Sequence, residues 1–427
     1  SGLGIVIVVY HLSLLLFKDK AMARMAMFFT AISSYFILIS QMARYHSLAA
    51  LLTLGSLYYF CKIFLQGYTR KDFVGFLILA ILVAYTDLPH FIYLVVITNL
   101  FYFYKKLRKS TIVEFKKWIG GQLTVLVLFL PIVYLFYLRV FHQNDKGFEK
   151  ESLLGGSVID RLSDFLMHFY AYFFGENIFP WNAAPFLLGV LVIIVLLGIL
   201  IKTVYKKEAL PNLYLLLYFF FSFILLNTIF LNYFDPRYNF IVFPKYVFAA
   251  FPLFIILLSF LIWQVKSKFF RYGIVILTVV VFFSGLFNFY NRKNYLNGSY
   301  FSDFKSYKFV QDNFQAGDYL IINGDANIGL YNFYKDKYFK NLTPISAFDL
   351  SLKHFKNKSR FWFFSTGSDG DSVYGSAATE DKIPEGFVVA EKFQSVPIDK
   401  TLLKLKQKIT DRQSYEYKYG VYLLINK

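Results

Sequence analysis

Residues 184–205 read APFLLGVLVIIVLLGILIKTVY, and the first charge in the run is Lys202. A stretch of about 18 or more residues without a charge is the signature of a helix that crosses a bilayer. The same kind of segment recurs on both sides of it. Candidate spans cover 2–17, 23–41, 46–66, 72–86, 90–105, 117–140, 184–205, 211–232, 238–265 and 271–290, about ten in all. Asp87-Leu88-Pro89-His90 divides the fourth from the fifth. The two together are too long for one crossing, so the sequence predicts two helices joined by a tight turn.

Composition agrees. The 427 residues are 57% apolar and only 17% charged, with a mean hydropathy of +0.48. A soluble globular chain carries about 25% charged residues. A single soluble domain, a disordered chain and a disulfide scaffold are excluded; the one cysteine, Cys61, sits in an apolar run. The chain is not uniform, however. Residues 1–290 hold 25 basic and 12 acidic residues, whereas 291–427 hold 20 and 15 in less than half the length. The fold class expected is a polytopic α-helical membrane protein, with a membrane domain at 1–290 and a C-terminal soluble α/β domain at 291–427.

Charge sets the expected orientation, because loops facing the cytoplasm are enriched in Lys and Arg. If residue 1 starts outside, the inside loops are 18–24, 67–71, 105–117, 202–207 and 266–271. These contain 17 of the 25 basic residues of the region. Lys62, near the inner end of its helix, can snorkel inward. Residues 291–427 then lie outside the cytoplasm. The net charge of +18 is mostly this topology signal, attracted to anionic lipid. The basic residues are spread over many loops with no reader motif, so nucleic acid is not an expected partner. The apolar run begins at Ser1 with no basic segment before it, and a first helix that starts outside calls for an earlier one. Sequence upstream of Ser1 is therefore expected.

Charged groups at membrane depth are costly and often functional. Four places fall on the predicted outer face. The first is Gln41-Met42-Ala43-Arg44-Tyr45-His46. Arg44 either anchors at the headgroup level or grips a phosphate with its guanidinium fork. The second is Thr86-Asp87-Leu88-Pro89-His90. Pro89 ends a helix; Asp87 caps the next one, or holds an acceptor hydroxyl, or binds a divalent cation together with His90. That cation is the one cofactor candidate. The third is Asp235-Pro236-Arg237-Tyr238, followed by Pro244 and Lys245. Asp235 pairs with Arg237, or Arg237 and Lys245 present positive charge to a lipid-borne phosphate. The fourth is the outer loop 141–183, which holds an amphipathic stretch from Val158 to Phe174 expected to lie in the interface plane. The C-terminal region alternates a helix at Phe304–Phe314 with strands at Tyr319–Ile322, Phe361–Phe364, Gly386–Ala390 and Tyr419–Ile425. No GxSxG, Walker A, HExxH or paired CxxC motif occurs, and no internal repeat.

Three segments carry a resemblance. Ser40-Gln41-Met42-Ala43-Arg44-Tyr45 looks like an "SQ-x-aR-Y" turn; Arg237-Tyr238 with Pro244 looks like the "RY…P" opening of a late helix; Ala316-Gly317-Asp318-Tyr319-Leu320-Ile321 looks like a "pGD-x-(I/V)-(I/L)" strand. In this order they resemble the membrane glycosyltransferases of the GT-C fold, the group that includes dolichyl-phosphate-mannose protein mannosyltransferases and bacterial lipid A aminoarabinose transferases. The resemblance implies an inverting sugar transfer from a polyprenyl-phosphate donor to a lipid, protein or glycan acceptor, on the outer face of a bacterial inner membrane. It implies that Arg44, Arg237 and Lys245 receive the donor phosphate, and that Tyr45, Asp87, His90 and Tyr238 line the site. In that family the catalytic acid lies on a first outer loop that this sequence does not contain, so the chain as given is expected to be inactive alone. Two other readings remain: a lipid-linked sugar flippase or transporter, and a non-catalytic protein of envelope assembly. The first predicts repeat symmetry and no exterior domain; the second predicts no acidic outer loop upstream.

Overall fold

The structure is a computed structural model, and it describes residues 1–41, 45–110, 113–142, 158–175, 177–178, 180, 182–205, 211–234, 247–290, 303–315, 318–322, 345–346, 360–368, 387–394 and 417–426. The chain divides into two compact units, Ser1–Asn291 and Arg292–Lys427.

The first unit is helical. Its elements are α1 (Gly2–Phe17), α2 (Lys20–Ile32), α3 (Ser34–Gln41), α4 (His46–Gln66), α5 (Arg70–Thr86), α6 (Leu88–Leu107), α7 (Phe115–His142), α8 (Val158–Phe174), α9 (Ala183–Tyr205), α10 (Pro211–Phe234), α11 (Ala250–Trp263) and α12 (Lys268–Tyr290). Local chemistry sets the starts. Asp19 accepts from the amides of Ala21 (2.8 Å) and Met22 (2.9 Å), and Thr69 accepts from the amide of Asp72 at 3.1 Å. Both satisfy donors that a helix N-terminus leaves open.

Every predicted apolar segment coincides with a helix in whole or part, but not all are long enough to cross a bilayer. Among the described residues five are long and apolar enough: His46–Gln66, Phe115–Tyr134, Ala183–Tyr205, Pro211–Ile229 and Lys268–Tyr290. At 1.5 Å per residue, α1, α5 and α11, with 16, 17 and 14 residues, fall short of a hydrocarbon core about 30 Å thick. Among the described residues five segments, or six if α2 and α3 form one bent crossing, have that length and apolarity, against the ten expected from hydropathy.

That bent pair corrects the expected straight helix at 23–41. The axis turns by 60° between α2 and α3. Ser33 leaves helical geometry (φ −70, ψ 126), and its hydroxyl accepts from the amide of Phe36 at 3.4 Å. Ser34 is wedged against Gly175 and Gly285, where an added Cβ at either glycine would strike its Oγ. Gly175 also has φ +68, a conformation that favours glycine. Asn177 ties the junction down: its Nδ2 donates to Gly285 O (2.8 Å), and its own carbonyl accepts from Asn288 Nδ2 (2.9 Å). The run stays apolar on both sides of the Ser33-Ser34 pair, so hydropathy does not see the break.

Aromatic rings fill the core. Trp118 stacks on Tyr102 (centroids 4.5 Å apart) and on Phe76 (5.7 Å), with Phe60 edge-on at 6.1 Å. Its indole N–H donates to Asn99 Oδ1 at 2.9 Å, so the buried polar handle is satisfied. A second cluster joins Tyr35, Tyr172, Phe248 and Phe251. Tyr172 belongs to α8. The sequence places α8 flat in an interface, yet Ala171, Tyr172, Phe173 and Phe174 are all buried, and α8 packs against α3, α10 and α12. Its C-terminal half is core.

The helices run back and forth, so their connections collect at two ends. At one end lie the C-termini of α1, α4, α6, α9 and α11, with Lys18, Lys105, Lys106, Lys202 and Lys266 among their basic residues; there Asn212 of α10 donates to Leu16 O at 2.6 Å. Lys62 pairs with Asp72 at 2.7 Å at this same end. The other end holds the α3–α4 and α5–α6 turns.

The second unit contains α13 (Asp303–Asn313), β1 (Tyr319–Ile322), β2 (Ile345–Ser346), β3 (Arg360–Ser368), β4 (Phe387–Gln394) and β5 (Tyr417–Asn426). The strands form one mixed sheet in the order β2-β1-β3-β5-β4. β1 runs parallel to β2 and β3, while β5 runs antiparallel to β3 and β4. Neighbours Phe361 and Trp362 point to opposite faces and are both buried, so both faces of the middle of the sheet are covered. Asp318 anchors this unit. Its carboxylate accepts from Arg360 Nε (2.9 Å), Trp362 Nε1 (2.9 Å) and the amide of Gln315 (3.0 Å). Asp318, which carried part of the resemblance, thus has an architectural role in holding β1 to β3.

Candidate functional site

The α5–α6 turn is a single residue, Asp87. Its φ of −155 and ψ of 113 break the helix, and Pro89 in the first turn of α6 gives up a backbone donor that a helix start does not need. Asp87 caps α6 by accepting from the amide of His90 at 3.4 Å. The same oxygen, Oδ2, also receives a short hydrogen bond from His90 Nδ1. Asp87 is 6% exposed and His90 0%. The sequence left three roles open for Asp87, and the structure places the carboxylate as a cap and as the orienting partner of the imidazole.

This pairing decides the tautomer. With the proton on Nδ1, Nε2 is an acceptor. Nε2 is buried and has no hydrogen-bond partner among the described residues. A buried acceptor left open costs about 1–3 kcal/mol; among the described residues the buried hydroxyls of Ser13, Ser40, Thr53 and Ser259 are open as well.

One turn into α6 comes Tyr93, on the same face as His90. Its hydroxyl donates to Asn227 Oδ1 of α10 at 3.2 Å. Asn227 Nδ2 in turn donates to His168 Nε2 of α8 at 3.1 Å. Tyr93, Asn227 and His168 are each no more than 1% exposed. Three helices thus contribute one buried polar chain beside the Asp87–His90 pair. Tyr172, one turn beyond His168, donates to Val247 O at 3.2 Å, which ties the chain to the start of α11.

The remaining predicted site residues fall as follows. Tyr45 precedes α4, is 44% exposed, and lies against the His46 ring at 4.5 Å. Arg44, Arg237, Tyr238 and Lys245 lie outside the described residues. A divalent cation does not fit the Asp87–His90 pair. Asp87 Oδ2 is already engaged by His90, and among the described residues no three His, Cys, Asp or Glu side chains come together. Tyr93 and Asn227 were not among the residues singled out from the sequence. The available signal was Asn227 itself, an amide which, with Thr228, interrupts the apolar run Leu225–Leu231.

Comparison with protein-family models, with curated proteins and with solved structures returned no match.

Proposed function

We propose that the chain is a membrane-embedded glycosyltransferase of the GT-C type, which moves a sugar from a polyprenyl-phosphate donor to a hydroxyl of a lipid, protein or glycan acceptor. The observation that carries this reading is the buried Asp87–His90 pair with its open Nε2, held at the end of the unit opposite the cations. An imidazole fixed by a carboxylate, with Nε2 free to accept, suits the orientation of a hydroxyl and the acceptance of its proton. In the transfer the acceptor oxygen forms a bond to the anomeric carbon. The bond from that carbon to the phosphate oxygen breaks, and the polyprenyl phosphate leaves with the electron pair. The configuration inverts. Arg44, Arg237 and Lys245 are the cations proposed to meet the phosphate, where negative charge develops. The three motifs quoted above support the assignment by their order along the chain.

The orientation follows in the same reading. The Lys- and Arg-rich end faces the cytoplasm of a plasma membrane, and residues 291–427 are extracytoplasmic.

The test uses membranes containing the full-length gene product, a radiolabelled polyprenyl-phosphate sugar and a mixed lipid and glycan acceptor fraction. Labelled acceptor with inverted anomeric configuration is the expected product, and its formation is expected to drop in His90→Gln. Labelled donor carried into sealed vesicles with no bond transferred would sink the reading in favour of a transporter.

A further inference from the structure

We infer that the basic end of the helical unit holds a specific anionic phospholipid, with an acyl chain in the groove between α9 and α12 and its phosphate at Lys202 and Lys266. The inference rests on the reading of this unit as membrane-embedded. The groove has a volume of about 640 Å³. Val195 and Ile199 of α9 and Ile274 and Leu277 of α12 line its length, and the two lysines stand at one end of it.

The surroundings of that end point to an anion. Lys202 and Lys266 have no ion-pair partner among the described residues. The neighbouring cation, Arg271, is engaged elsewhere: Nε and Nη2 donate to Val265 O at 3.0 and 2.7 Å, and its guanidinium lies over Trp263 at 4.4 Å. The amides that open α12 also face this end, and a helix N-terminus attracts negative charge. No carboxylate is among the described residues that line the groove. Phe269 and Phe270, 82% and 66% exposed, flank the lysines as aromatic side chains do at the level of lipid headgroups. Apolar walls with paired cations at the cytoplasmic end are the chemistry that selects an acidic headgroup.

Gly273 offers a way to separate the groove from the charges. It lines the cavity, and a Cβ built there meets nothing within 4 Å. Gly273→Leu fills the groove, leaves both lysines in place and favours the helix.

Purified protein is exchanged into mixed micelles containing equal phosphatidylglycerol and phosphatidylcholine, and retained lipid is read by native mass spectrometry. Preferential retention of phosphatidylglycerol is expected. Lys202→Gln and Lys266→Gln should each weaken that preference by about fivefold, and Gly273→Leu should abolish retention with the charges intact. Lys109→Gln with Lys116→Gln, which removes two charges elsewhere at the same end, should leave it unchanged. Equal retention of the two lipids, or a preference untouched by the groove variants, overturns the inference alone. Release of the protein from membranes by a carbonate wash overturns it together with the membrane reading.

Discussion

At the basic end of the helical unit, Lys62 reaches Asp72 at 2.7 Å with a third of its side chain still exposed. Thr69 donates to the same carboxylate at 2.7 Å. At the opposite end Asp87, His90, Tyr93, His168 and Asn227 are carried fully inside. The first arrangement caps and closes a helical hairpin, and each polar group there has a partner. The second buries five polar side chains where apolar ones would pack as well, and leaves one nitrogen open. Helices in lipid gain little from such groups, since interhelical hydrogen bonds in membranes average only about 0.6 kcal/mol. Polar groups retained at that depth are better accounted for by function than by stability. Under the proposed function, the first end is scaffold and the second is where the reaction takes place.

Substitutions can break that assignment. The largest effect is expected from Asp87→Asn. Asparagine still caps α6, but it no longer holds His90 as a carboxylate does. Sugar transfer should fall by about 10²–10⁴-fold while the melting temperature in detergent barely moves. A large loss of stability with unchanged transfer per folded molecule would reverse the roles of the two ends. Trp118→Ala is the converse experiment. It empties the stacked cluster with Tyr102 and Phe76 and should cost about 3–5 kcal/mol, with turnover per folded molecule preserved.

Smaller changes sharpen the comparison. Asn227→Leu strands the Tyr93 hydroxyl and His168 Nε2, and should cost about 1 kcal/mol, measured by unfolding in mixed micelles. Lys62→Met removes an ion pair whose lysine is a third exposed and leaves the buried Asp72 to Thr69, and should cost about 1 kcal/mol or less. An equal or larger loss from Lys62→Met than from Asn227→Leu would show that the basic end, too, stores its stability in polar contacts.

The helices were legible because apolar run length reports directly on burial in lipid. Lys202 and Lys266–Arg271 marked their ends as clearly as any cap. The Ser33 break was not legible, since its cause is Gly175 and Gly285, which are distant in the sequence. In the second unit, β1, β3 and β5 were readable from their aromatic and branched residues. β2 is two residues long and is specified by its partner Ile321–Ile322. β4 runs on to Gln394, beyond the expected Ala390, because a bulge between Val389 and Glu391 restores its pairing with β5. Of the site, the Asp87–His90 turn could be read locally, as a proline-marked helix start. The Tyr93–Asn227–His168 chain could not, because residues 134 and 59 positions apart meet only after folding.

The junction at Ser34 has a consequence for how the protein can be inherited. Gly175, Gly285 and Ser34 lie on three separate segments but occupy one volume. A mutation that enlarges Gly285 to alanine has no room while Ser34 keeps its hydroxymethyl group. Ser34→Gly supplies that room, so it should emerge as a second-site suppressor in a selection for restored expression. Gly175 should yield no such suppressor, because its positive φ refuses a side chain even after the space is cleared. The three positions are therefore genetically one locus with unequal members, two of which can trade atoms and one of which cannot.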